Sequence, residues 1–471
     1  MRKTKIICTI GPACDNEETL TELCKAGMNV ARLNFSHGVH ADHLRRINLI
    51  KQVREKLNLP IAIMLDTKGP EYRIGTFGNG PVMLQDGADF TLTTDNVTGD
   101  ENRVSVSYRK LTEELSEGDT VLINNGLVIL TVQRVTGNDI LCRVEAGGVL
   151  SDRKSMNFPG KVFKQDFLSE QDRNDILFGL ENDIDFVAAS FVSTREDIQA
   201  IRDLLDRNGG RDVDLIAKIE NRSGVDHIEE ICEVADGIMV ARGDLGVEIP
   251  FMEVPALQKY LISKCRMLGK RVITATEMLE SMIHNPRPTR AEISDVANAV
   301  YDGSSAIMLS GETAAGKYPV QAVATMAQTA EFTENGIDYT ERFRTMEFRI
   351  RNNLDAISHA TCSMAVDVGA KVIVVNSISG RTARMVSRFR CPVNIIGTTT
   401  NPKAWRKLNM SWGVMPVLTE AYSSIDVMFW QDLKIAKDLF ALQPGDNAVL
   451  TGGQINGAPG NTNTIKVETI R

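Results

Sequence analysis

Apolar and polar positions along the chain follow three patterns, and each pattern predicts a different kind of structure. In the first, short apolar runs begin near residues 5, 30, 61, 186, 215, 238, 272 and 306. Between these runs, apolar residues recur with the spacing of one helix face. Continuously apolar strands are typical of a parallel sheet that is buried on both faces. Eight such strands alternating with helices predict a (β/α)₈ barrel.

The second pattern consists of short alternating runs separated by turn residues, from about residue 74 to residue 157. Alternation with a period of two predicts half-buried strands, and the Asn-Gly and Asp-Gly pairs predict the turns between them. We therefore expect an antiparallel β domain, inserted above the carboxyl ends of the barrel strands as a lid. The predicted boundaries are 1–70 and 166–340 for the two parts of the barrel, and 71–165 for a β-barrel lid.

The third pattern begins near residue 354 and belongs to a predicted C-terminal domain, residues 341–471. Its apolar runs at 372–375, 393–396, 414–417 and 448–450 alternate with helical segments, which predicts an open α/β sheet. The first of these runs leads into small hydroxyl residues and a glycine before a helix. Such a segment is well suited to bind an anion through main-chain N–H groups.

Composition and charge narrow the possible functions. The 471 residues carry 53 basic and 61 acidic side chains without a basic block, which argues against nucleic acid as the main partner. No apolar stretch reaches transmembrane length, and the N-terminus lacks the pattern of a signal peptide. The eight cysteines form no C-x-x-C pair. We expect reduced core thiols in a cytoplasmic protein, without a membrane partner or a zinc site.

The stretch Leu215–Pro250 carries the strongest chemical signal. It is predicted to form a strand, a helix and a second strand, with Lys218, Glu220 and Asp244 at the strand ends. Because parallel strands present their carboxyl ends at one rim, these three side chains should converge. Two carboxylates can hold a hard divalent cation, and a lysine suits a phosphoryl group or an enolate. Free main-chain N–H groups at the turn from Gly243 to Gly246 would suit a carboxylate or a phosphate. The alternative interpretation is ordinary ion pairing at strand ends.

Two further strand ends carry polar groups in useful positions. Arg32, Asn34 and Ser36 alternate along a strand and should point the same way, as a phosphate site beside a cation would require. The alternative is a merely polar strand end. The loop 66–73 combines charges and hydroxyls with a rigid Gly69-Pro70 pair, which favours a functional loop over a solvated one.

Nine motifs occur in order between the first strand and Pro319: KIICTIGP, MNVARLNFSHG, LDTKGPEYR, FVAASFV, IAKIEN, DGIMVARGDLGVEIP, VITATEML, NPRPTRAE and DVANAVYDGSSAIMLSGETAAGKYP. Together they resemble the motifs of the pyruvate kinase family. The resemblance implies transfer of the phosphoryl group of phosphoenolpyruvate to ADP, which gives pyruvate and ATP. It also implies Mg²⁺ (or Mn²⁺) and K⁺ as cofactors, a sugar-phosphate effector with fructose 1,6-bisphosphate as the first candidate, and a homotetramer.

The resemblance further implies a role for each matched residue. The implied catalytic residues are Lys218, Arg32, Arg73 and Thr276. The implied substrate-binding residues are Arg32, Lys218, Gly243, Asp244 and Thr276. The implied nucleotide contacts are Asn34, Phe35, Ser36, His37, Arg73 and Lys154. Glu220 and Asp244 are the implied Mg²⁺ ligands, and Asn34, Ser36, Asp66 and Thr67 the implied K⁺ ligands. The implied effector residues are Ser377, Ser379, Gly380, Arg381 and Thr382.

Some positions depart from the family pattern. Asn124-Asn125 stands where members usually carry two aspartates, and Ser155-Met156 follows Lys154 where they carry Gly-Val. Glu277 replaces a more usual glutamine. Glu71 resembles the glutamate of the K⁺-dependent members, where other members carry lysine.

Two other functions are consistent with part of the sequence. A different Mg²⁺-dependent barrel lyase acting on a keto acid would explain Lys218, Glu220 and Asp244, but not the lid or the loop 66–73. A metabolite-sensing regulator that kept the fold is disfavoured by the intact set of charged positions. An assay for pyruvate formation from phosphoenolpyruvate and ADP separates the three.

Overall fold

The computed structural model of the chain describes residues 1–163, 166–453 and 462–471. Eight parallel strands begin at the predicted positions: β1 (Lys5–Thr9), β2 (Val30–Asn34), β3 (Ala62–Asp66), β13 (Phe186–Ala189), β14 (Asp214–Ile219), β15 (Gly237–Ala241), β16 (Arg271–Ala275) and β17 (Ala306–Leu309). They close into a barrel in the order β1, β17, β16, β15, β14, β13, β3 and β2. The predicted (β/α)₈ barrel is therefore confirmed.

Helices surround the barrel: α1 (Glu17–Ala26), α2 (His40–Leu57), α4 (Glu170–Glu181), α5 (Arg195–Arg207), α6 (Arg222–Asp226), α7 (Ile228–Val234), α8 (Arg242–Glu248), α9 (Val254–Met267), α10 (Arg290–Asp302), α11 (Gly311–Ala314), α12 (Pro319–Asn335) and α13 (Tyr339–Thr345). In α5 the buried residues are Ile198, Ile201, Leu204 and Leu205, one face of the helix. Thr194 and Asp197 form a capping box that fixes where this helix begins.

The inserted segment contains β4 (Tyr72–Arg73), β5 (Val82–Leu84), β6 (Asp89–Thr93), β7 (Arg103–Ser105), α3 (Leu111–Glu114), β8 (Thr120–Ile123), β9 (Val128–Thr136), β10 (Asp139–Ala146), β11 (Gly148–Leu150) and β12 (Ser155–Asn157). Seven of the strands form one sheet in the order β4, β12, β8, β9, β10, β6 and β7, and β5 pairs with β11. The pairing is mostly antiparallel, but β6 and β7 run parallel. The expected inserted antiparallel β domain is therefore confirmed, with one parallel pair at its edge. A bridge between Ile74 and Val106 connects its two edges.

The C-terminal unit contains α14 (Asn353–Asp367), β18 (Val372–Asn376), α15 (Arg381–Ser387), β19 (Asn394–Thr399), α16 (Pro402–Leu408), β20 (Val414–Leu418), α17 (Ile425–Phe440), β21 (Asn447–Gly453) and β22 (Thr462–Thr469). Its sheet has the order β20, β19, β18, β21 and β22, and only β22 runs antiparallel to its neighbour. This confirms the open α/β sheet.

Separate hydrophobic cores lie in the barrel, the inserted sheet and the C-terminal unit. The exact domain boundaries near residues 70, 165 and 340 stay predictions, and residue 165 lies outside the described residues. All eight cysteines are buried and unpaired, as expected. Within the described ranges, none of the helices has both the length and the apolar character needed to cross a membrane.

Candidate active site

Lys218, Glu220 and Asp244 converge on the carboxyl rim of the barrel, as the strand pattern predicted. Lys218 is the fifth residue of β14 and Glu220 directly follows that strand. Asp244 lies in the first turn of α8, which begins where β15 ends. Because β14 and β15 are parallel neighbours, both deliver their side chains to the same end. The charge of Asp244 accordingly acts on both Lys218 and Glu220.

Lys218 is the centre of a buried polar network. Its Nζ lies 3.1 Å from Asp66 Oδ1 and 3.0 Å from Glu220 Oε1, and it donates a hydrogen bond of 2.6 Å to Ser190 Oγ. Burial alone would lower the pKa of Lys218, but the charges of Asp66 and Glu220 raise it above its usual value. The ammonium group is therefore held in place as a permanent positive charge.

Arg32 shares the same acidic partner. Its Nε donates to Asp66 Oδ2 at 2.6 Å and its Nη1 donates to Thr9 Oγ1 at 2.9 Å. Burial would raise the pKa of Asp66, but the charges of Arg32 and Lys218 lower it below its usual range. One carboxylate thus orients two cations at the rim, and both suit an anionic substrate.

The two carboxylate oxygens of Glu220 have different partners. Its Oε2 accepts a hydrogen bond of 2.6 Å from the main-chain N–H of Phe191, which has a left-handed φ of 59°. Its buried Oε1 forms an ion pair with Lys218 Nζ at 3.0 Å and has no other partner among the described residues. Burial raises the pKa of Glu220 to about 7, and the charge of Asp244 adds to the shift.

A divalent cation fits this carboxylate. Two neighbouring carboxylates, one of them with a buried oxygen that has no partner beyond Lys218 in the described ranges, form the kind of oxygen donor set that a hard cation such as Mg²⁺ prefers. No group of three or more His, Cys, Asp or Glu side chains that could hold a metal occurs among the described residues. The protein therefore offers the pair Glu220 and Asp244, and the other ligands would be substrate or water.

Thr276 has an unusual backbone conformation. Its φ is 67°, which is uncommon for a β-branched residue. Its hydroxyl donates to Ala275 O at 2.6 Å and accepts from Gly243 N at 2.8 Å. The N–H of Gly243, which we expected to be free, is therefore engaged. Arg242 supports this strained turn by donating to the carbonyl oxygen of Thr276 at 2.7 Å.

The four residues expected at a K⁺ site lie at the ends of adjacent strands. Asn34 and Asp66 are register partners in β2 and β3. The side-chain oxygen of Asn34 accepts from Ser36 N at 3.1 Å, and Thr67 Oγ1 accepts from Ser190 N at 3.2 Å. The structure thus brings these residues together. The side-chain oxygens of Asn34 and Thr67 each already accept one hydrogen bond from a main-chain N–H.

Phe35, one of the expected nucleotide contacts, does not present a free side chain, whereas His37 is exposed. Phe35 is 3 % exposed, and its ring stacks on His43 with 3.8 Å between ring centroids. The carbonyl oxygen of His37 lies 2.9 Å from His43 Nε2. Any contact from Phe35 to a nucleotide would therefore involve its main chain.

A cleft of about 500 Å³ separates the inserted sheet from the barrel rim. Arg73, Asn124 and Lys154 line it from the sheet side, and Asp244 and Glu248 line it from the barrel. The cleft is therefore lined by basic residues on one side and acidic residues on the other. This arrangement suits a phosphate-bearing ligand together with a cation.

Arg73 is neutralised in this conformation. It forms an ion pair of 2.9 Å with Glu71, and its Nη1 donates to Arg153 O at 2.9 Å. Asn157 Nδ2 donates to Glu248 Oε1 at 2.8 Å, which joins the sheet to the barrel. A phosphate contact by Arg73 would therefore require it to share or leave Glu71.

The asparagines at 124 and 125 occupy a left-handed turn. Each has a φ of 56°, and Gly126 follows with 79°. Asparagine and aspartate both tolerate this region better than other residues with a side chain. The turn therefore accepts either residue type, and the departure from the family pattern does not disturb it.

The five predicted effector residues lie together at the start of α15. Gly380 is the residue before the helix, with a φ of 75°. The hydroxyl of Ser377 accepts from Thr382 N at 3.4 Å, and that of Ser379 accepts from Arg381 N at 3.4 Å. Arg381 and Ser379 are exposed, so both can meet a ligand from solvent.

Sequence reasoning missed three residues at the rim. Ser190 directly follows β13 and binds Lys218, Arg242 directly follows β15 and binds Asp295 at 2.7 Å, and Thr9 ends β1 and binds Arg32. Each is a polar residue at a strand end. The same rule that selected Lys218 would have selected them, had it been applied to every strand.

Known proteins match the whole chain. A family model described as "Pyruvate kinase, barrel domain" matches residues 1–323, and one described as "Pyruvate kinase, alpha/beta domain" matches residues 355–468. A pyruvate kinase of Clostridium acetobutylicum is 46 % identical over 472 residues, covering 100 % of both chains. One of Bacillus licheniformis is 46 % identical and matches 100 % of this chain and 81 % of its own length.

A solved structure has the same fold. The crystal structure of a pyruvate kinase from Cryptosporidium parvum is 39 % identical, with a TM-score of 0.95. The match covers 99 % of this chain and 96 % of that one. The arrangement of barrel, inserted sheet and C-terminal unit is thus that of a known enzyme fold.

Proposed function

The chain belongs to the pyruvate kinase family, and we propose that it transfers the phosphoryl group of phosphoenolpyruvate to ADP at the barrel rim, with Mg²⁺ and K⁺ as cofactors. The observation that carries this proposal is the buried Lys218 network, which fixes a cation beside two acidic groups and below a cleft. Phosphoryl transfer requires positioning and charge neutralisation more than covalent chemistry from the protein.

Each residue of the network has a separate task in this proposal. Lys218 and Arg32 bind the phosphoryl oxygens, and Lys218 also stabilises the enolate that remains after transfer. Asp66 orients both cations. Thr276 lies beside the substrate carboxylate and directs a proton to the enolate carbon. Arg73, Lys154 and the segment 34–37 bind the nucleotide phosphates from the other side of the cleft.

Glu220 and Asp244 would hold the divalent cation. When bound, Mg²⁺ neutralises the oxygens of the substrate and polarises its enolate oxygen. Asn34, Ser36, Asp66 and Thr67 would hold K⁺ through oxygen ligands. The buried Oε1 of Glu220 supports the divalent site, and the pairing of Asn34 with Asp66 at the ends of β2 and β3 supports the K⁺ site.

The test is a coupled assay for pyruvate with purified protein, phosphoenolpyruvate and ADP. We expect turnover that needs both substrates and a divalent cation. Pyruvate formation without ADP would favour a lyase or phosphatase instead. Binding of phosphoenolpyruvate without any turnover would favour a sensing protein.

The dependence on K⁺ has its own test. We expect activity to fall when K⁺ is replaced by a large organic cation, because Glu71 supplies no positive charge of its own. Glu71→Lys should make the enzyme active without K⁺, since an ammonium group then replaces the monovalent ion. Glu71→Gln is the matched control and should stay K⁺-dependent.

The C-terminal site is proposed to bind a sugar phosphate through Ser377, Ser379, Gly380, Arg381 and Thr382. Fructose 1,6-bisphosphate should lower the phosphoenolpyruvate concentration that gives half-maximal rate. Arg381→Ala should remove this effect and leave the rate at saturating substrate unchanged. No response to any sugar phosphate would refute the site.

The remaining proposals concern assembly and location. We propose a homotetramer, which sedimentation equilibrium tests directly. We propose a cytoplasmic enzyme, in agreement with its eight unpaired cysteines. The domain limits 1–70, 71–165, 166–340 and 341–471 are likewise proposals, and limited proteolysis at the connections would test them.

A further inference from the structure

Three arginines from separate segments gather where the base of the barrel meets the C-terminal unit. Arg266 lies on α9, Arg342 on α13 and Arg390 just after α15. They line an enclosed cavity of about 10 Å³, which we name the basal pocket. Arg390 Nη2 donates to Gly303 O and Ser305 Oγ, just before β17 begins. The pocket is therefore at the opposite end of the barrel from the candidate active site.

Two buried guanidinium groups each keep one N–H without an acceptor in the part of the chain that the structure describes, although both Nη atoms of Arg390 donate to oxygens of Ser387, Gly303 and Ser305. Arg266 is 7 % exposed and Arg390 is 6 % exposed. The Nε of each has no acceptor among the described residues. Arg266 Nη2 is directed at the sulphur of Met346, which is a weak acceptor. Buried donors of this kind are normally satisfied, so these two require an explanation.

The positive charge of the basal pocket is not balanced. Within the described ranges, the charge that shifts the pKa of Arg266 is that of Arg342, and the charge of Arg266 in turn shifts the pKa of Arg390. The carboxylate whose charge acts on the pKa of Arg390 is that of Glu334. Its two oxygens already accept hydrogen bonds of 2.6 Å from Lys3 N and Thr4 N. Buried charges are normally paired.

The electrostatic consequence has a definite direction. Burial lowers the pKa of Arg266 to about 10, and the charge of Arg342 adds to the shift. Burial lowers the pKa of Arg390 to about 9, and the charge of Arg266 adds to the shift. Both groups stay charged at neutral pH, so the repulsion between them persists in the folded protein.

We propose that the basal pocket binds one small inorganic anion, in the size range from chloride to phosphate, between Arg266, Arg342 and Arg390. Such an anion supplies an acceptor for the Nε groups of Arg266 and Arg390, which have none within the described residues, and a negative charge beside all three guanidinium groups. The cavity admits one water-sized group, which chloride matches, whereas phosphate fits only once the Met346 side chain has moved aside. A bulky organic anion does not fit.

Binding also has a structural consequence. The anion replaces the Met346 sulphur as acceptor for Arg266, and a methionine side chain moves aside easily. Met346 directly follows α13 and leads into the connection to α14. Because Arg390 belongs to the C-terminal unit and Arg266 to the barrel, the bound anion braces one against the other.

The test measures the emission of Trp412, whose ring lies 4.8 Å from Arg390 Cζ. The chain has three tryptophans, and Trp405→Phe with Trp430→Phe leaves only this reporter. Sodium phosphate and sodium chloride are each titrated against sodium gluconate at constant ionic strength. We expect a saturable change with a small anion and none with gluconate. The stronger of the two responses identifies the preferred ion.

Variants show whether the signal comes from the basal pocket. Arg266→Met in the same background should abolish the response. Arg344→Met, on the same helix as Arg342 but exposed, is the matched control and should retain it. If Arg266→Met does not fold, Arg342→Met should weaken the apparent affinity about tenfold or more.

Two results would overturn the proposal. One is an identical response in Arg266→Met and in the control variant, which would place the anion elsewhere. The other is a lack of saturation with both phosphate and chloride. Phosphate bound at the candidate active site would not imitate the signal, because Trp412 lies at the other end of the barrel. The test is therefore independent of the proposed function.

Discussion

The two ends of the barrel each bury a lysine, and the two lysines behave in opposite ways. Lys218 at the carboxyl rim contacts Asp66 and Glu220, and these charges raise its pKa above the usual value although burial opposes them. Lys5 at the amino end donates to the carbonyl oxygen of Val414 at 2.7 Å. Burial lowers the pKa of Lys5 to about 7, and the charge of Arg2 adds to the shift.

The difference shows what distinguishes a site from an interface. At the rim, charged partners from several strands hold the ammonium group, so a reacting anion meets a fixed charge. At the base, the ammonium group meets a neutral carbonyl group and another cation. Lys218 is therefore placed to contribute to chemistry at the carboxyl rim. Lys5 connects β1 to β20 at the amino end, where its charged form is destabilised by burial.

The largest expected effect is that of Lys218→Met. Removing this preorganised cation should lower kcat about 10²–10³-fold in the pyruvate assay. Stability should also fall by about 3–5 kcal/mol, because Glu220 would lose its buried cationic partner, whereas Asp66 would keep Arg32.

Lys434→Met, at an exposed position of α17, is the control for Lys218→Met and should change neither quantity. Urea unfolding followed by circular dichroism gives the stability of each variant. Near-normal turnover in folded Lys218→Met protein would contradict the role of this lysine.

The second prediction concerns Lys5→Met, the corresponding lysine-to-methionine change at the amino end of the barrel. Lys5→Met should leave kcat unchanged. Between pH 7 and 10.5 the unfolded chain keeps the Lys5 proton that the folded protein has lost. Wild-type stability should therefore rise with pH across this window, by a few kcal/mol at about 1.4 kcal/mol per pKa unit.

Lys5→Met should lack this rise, and the wild-type curve should approach the variant curve as the pH increases. The measurement is the urea midpoint of both proteins at a series of pH values. Parallel curves would mean that Lys5 keeps its charge in the folded state, and the contrast with Lys218 would then be lost.

The smallest expected effect is that of Ser190→Ala. This change removes the hydroxyl that accepts from Lys218 at 2.6 Å but keeps both carboxylate contacts. We expect kcat to fall about tenfold, with little change in the half-saturating phosphoenolpyruvate concentration, because one hydrogen bond to a charged group is worth about 1.5 kcal/mol. Ser190→Thr should recover most of the rate. A loss as large as that of Lys218→Met would mean that Ser190 contacts the substrate.

Part of the candidate site could be predicted because it depends only on strand order. Lys218 and Glu220 lie at the end of β14, and Asp244 lies just after the neighbouring parallel strand β15, so their convergence follows from local pattern. The contact from Lys218 to Asp66 does not, because β13 lies between β14 and β3. The left-handed φ of Thr276 was also beyond prediction, since it results from the contacts of the surrounding rim.

The linear chain was enough to establish the alternation of eight apolar strands with helices, the inserted sheet and the polar residues at strand ends, since hydrophobic periodicity is a local property. Only folding decided which charges are compensated. Lys218 lies beside the carboxylates of Asp66 and Glu220. Arg266 and Arg390, which are 124 positions apart in the sequence, lie close enough for one charge to act on the other, and no carboxylate of the described residues pairs with them directly. Pairing depends on distance in space, and a one-dimensional pattern does not contain that distance.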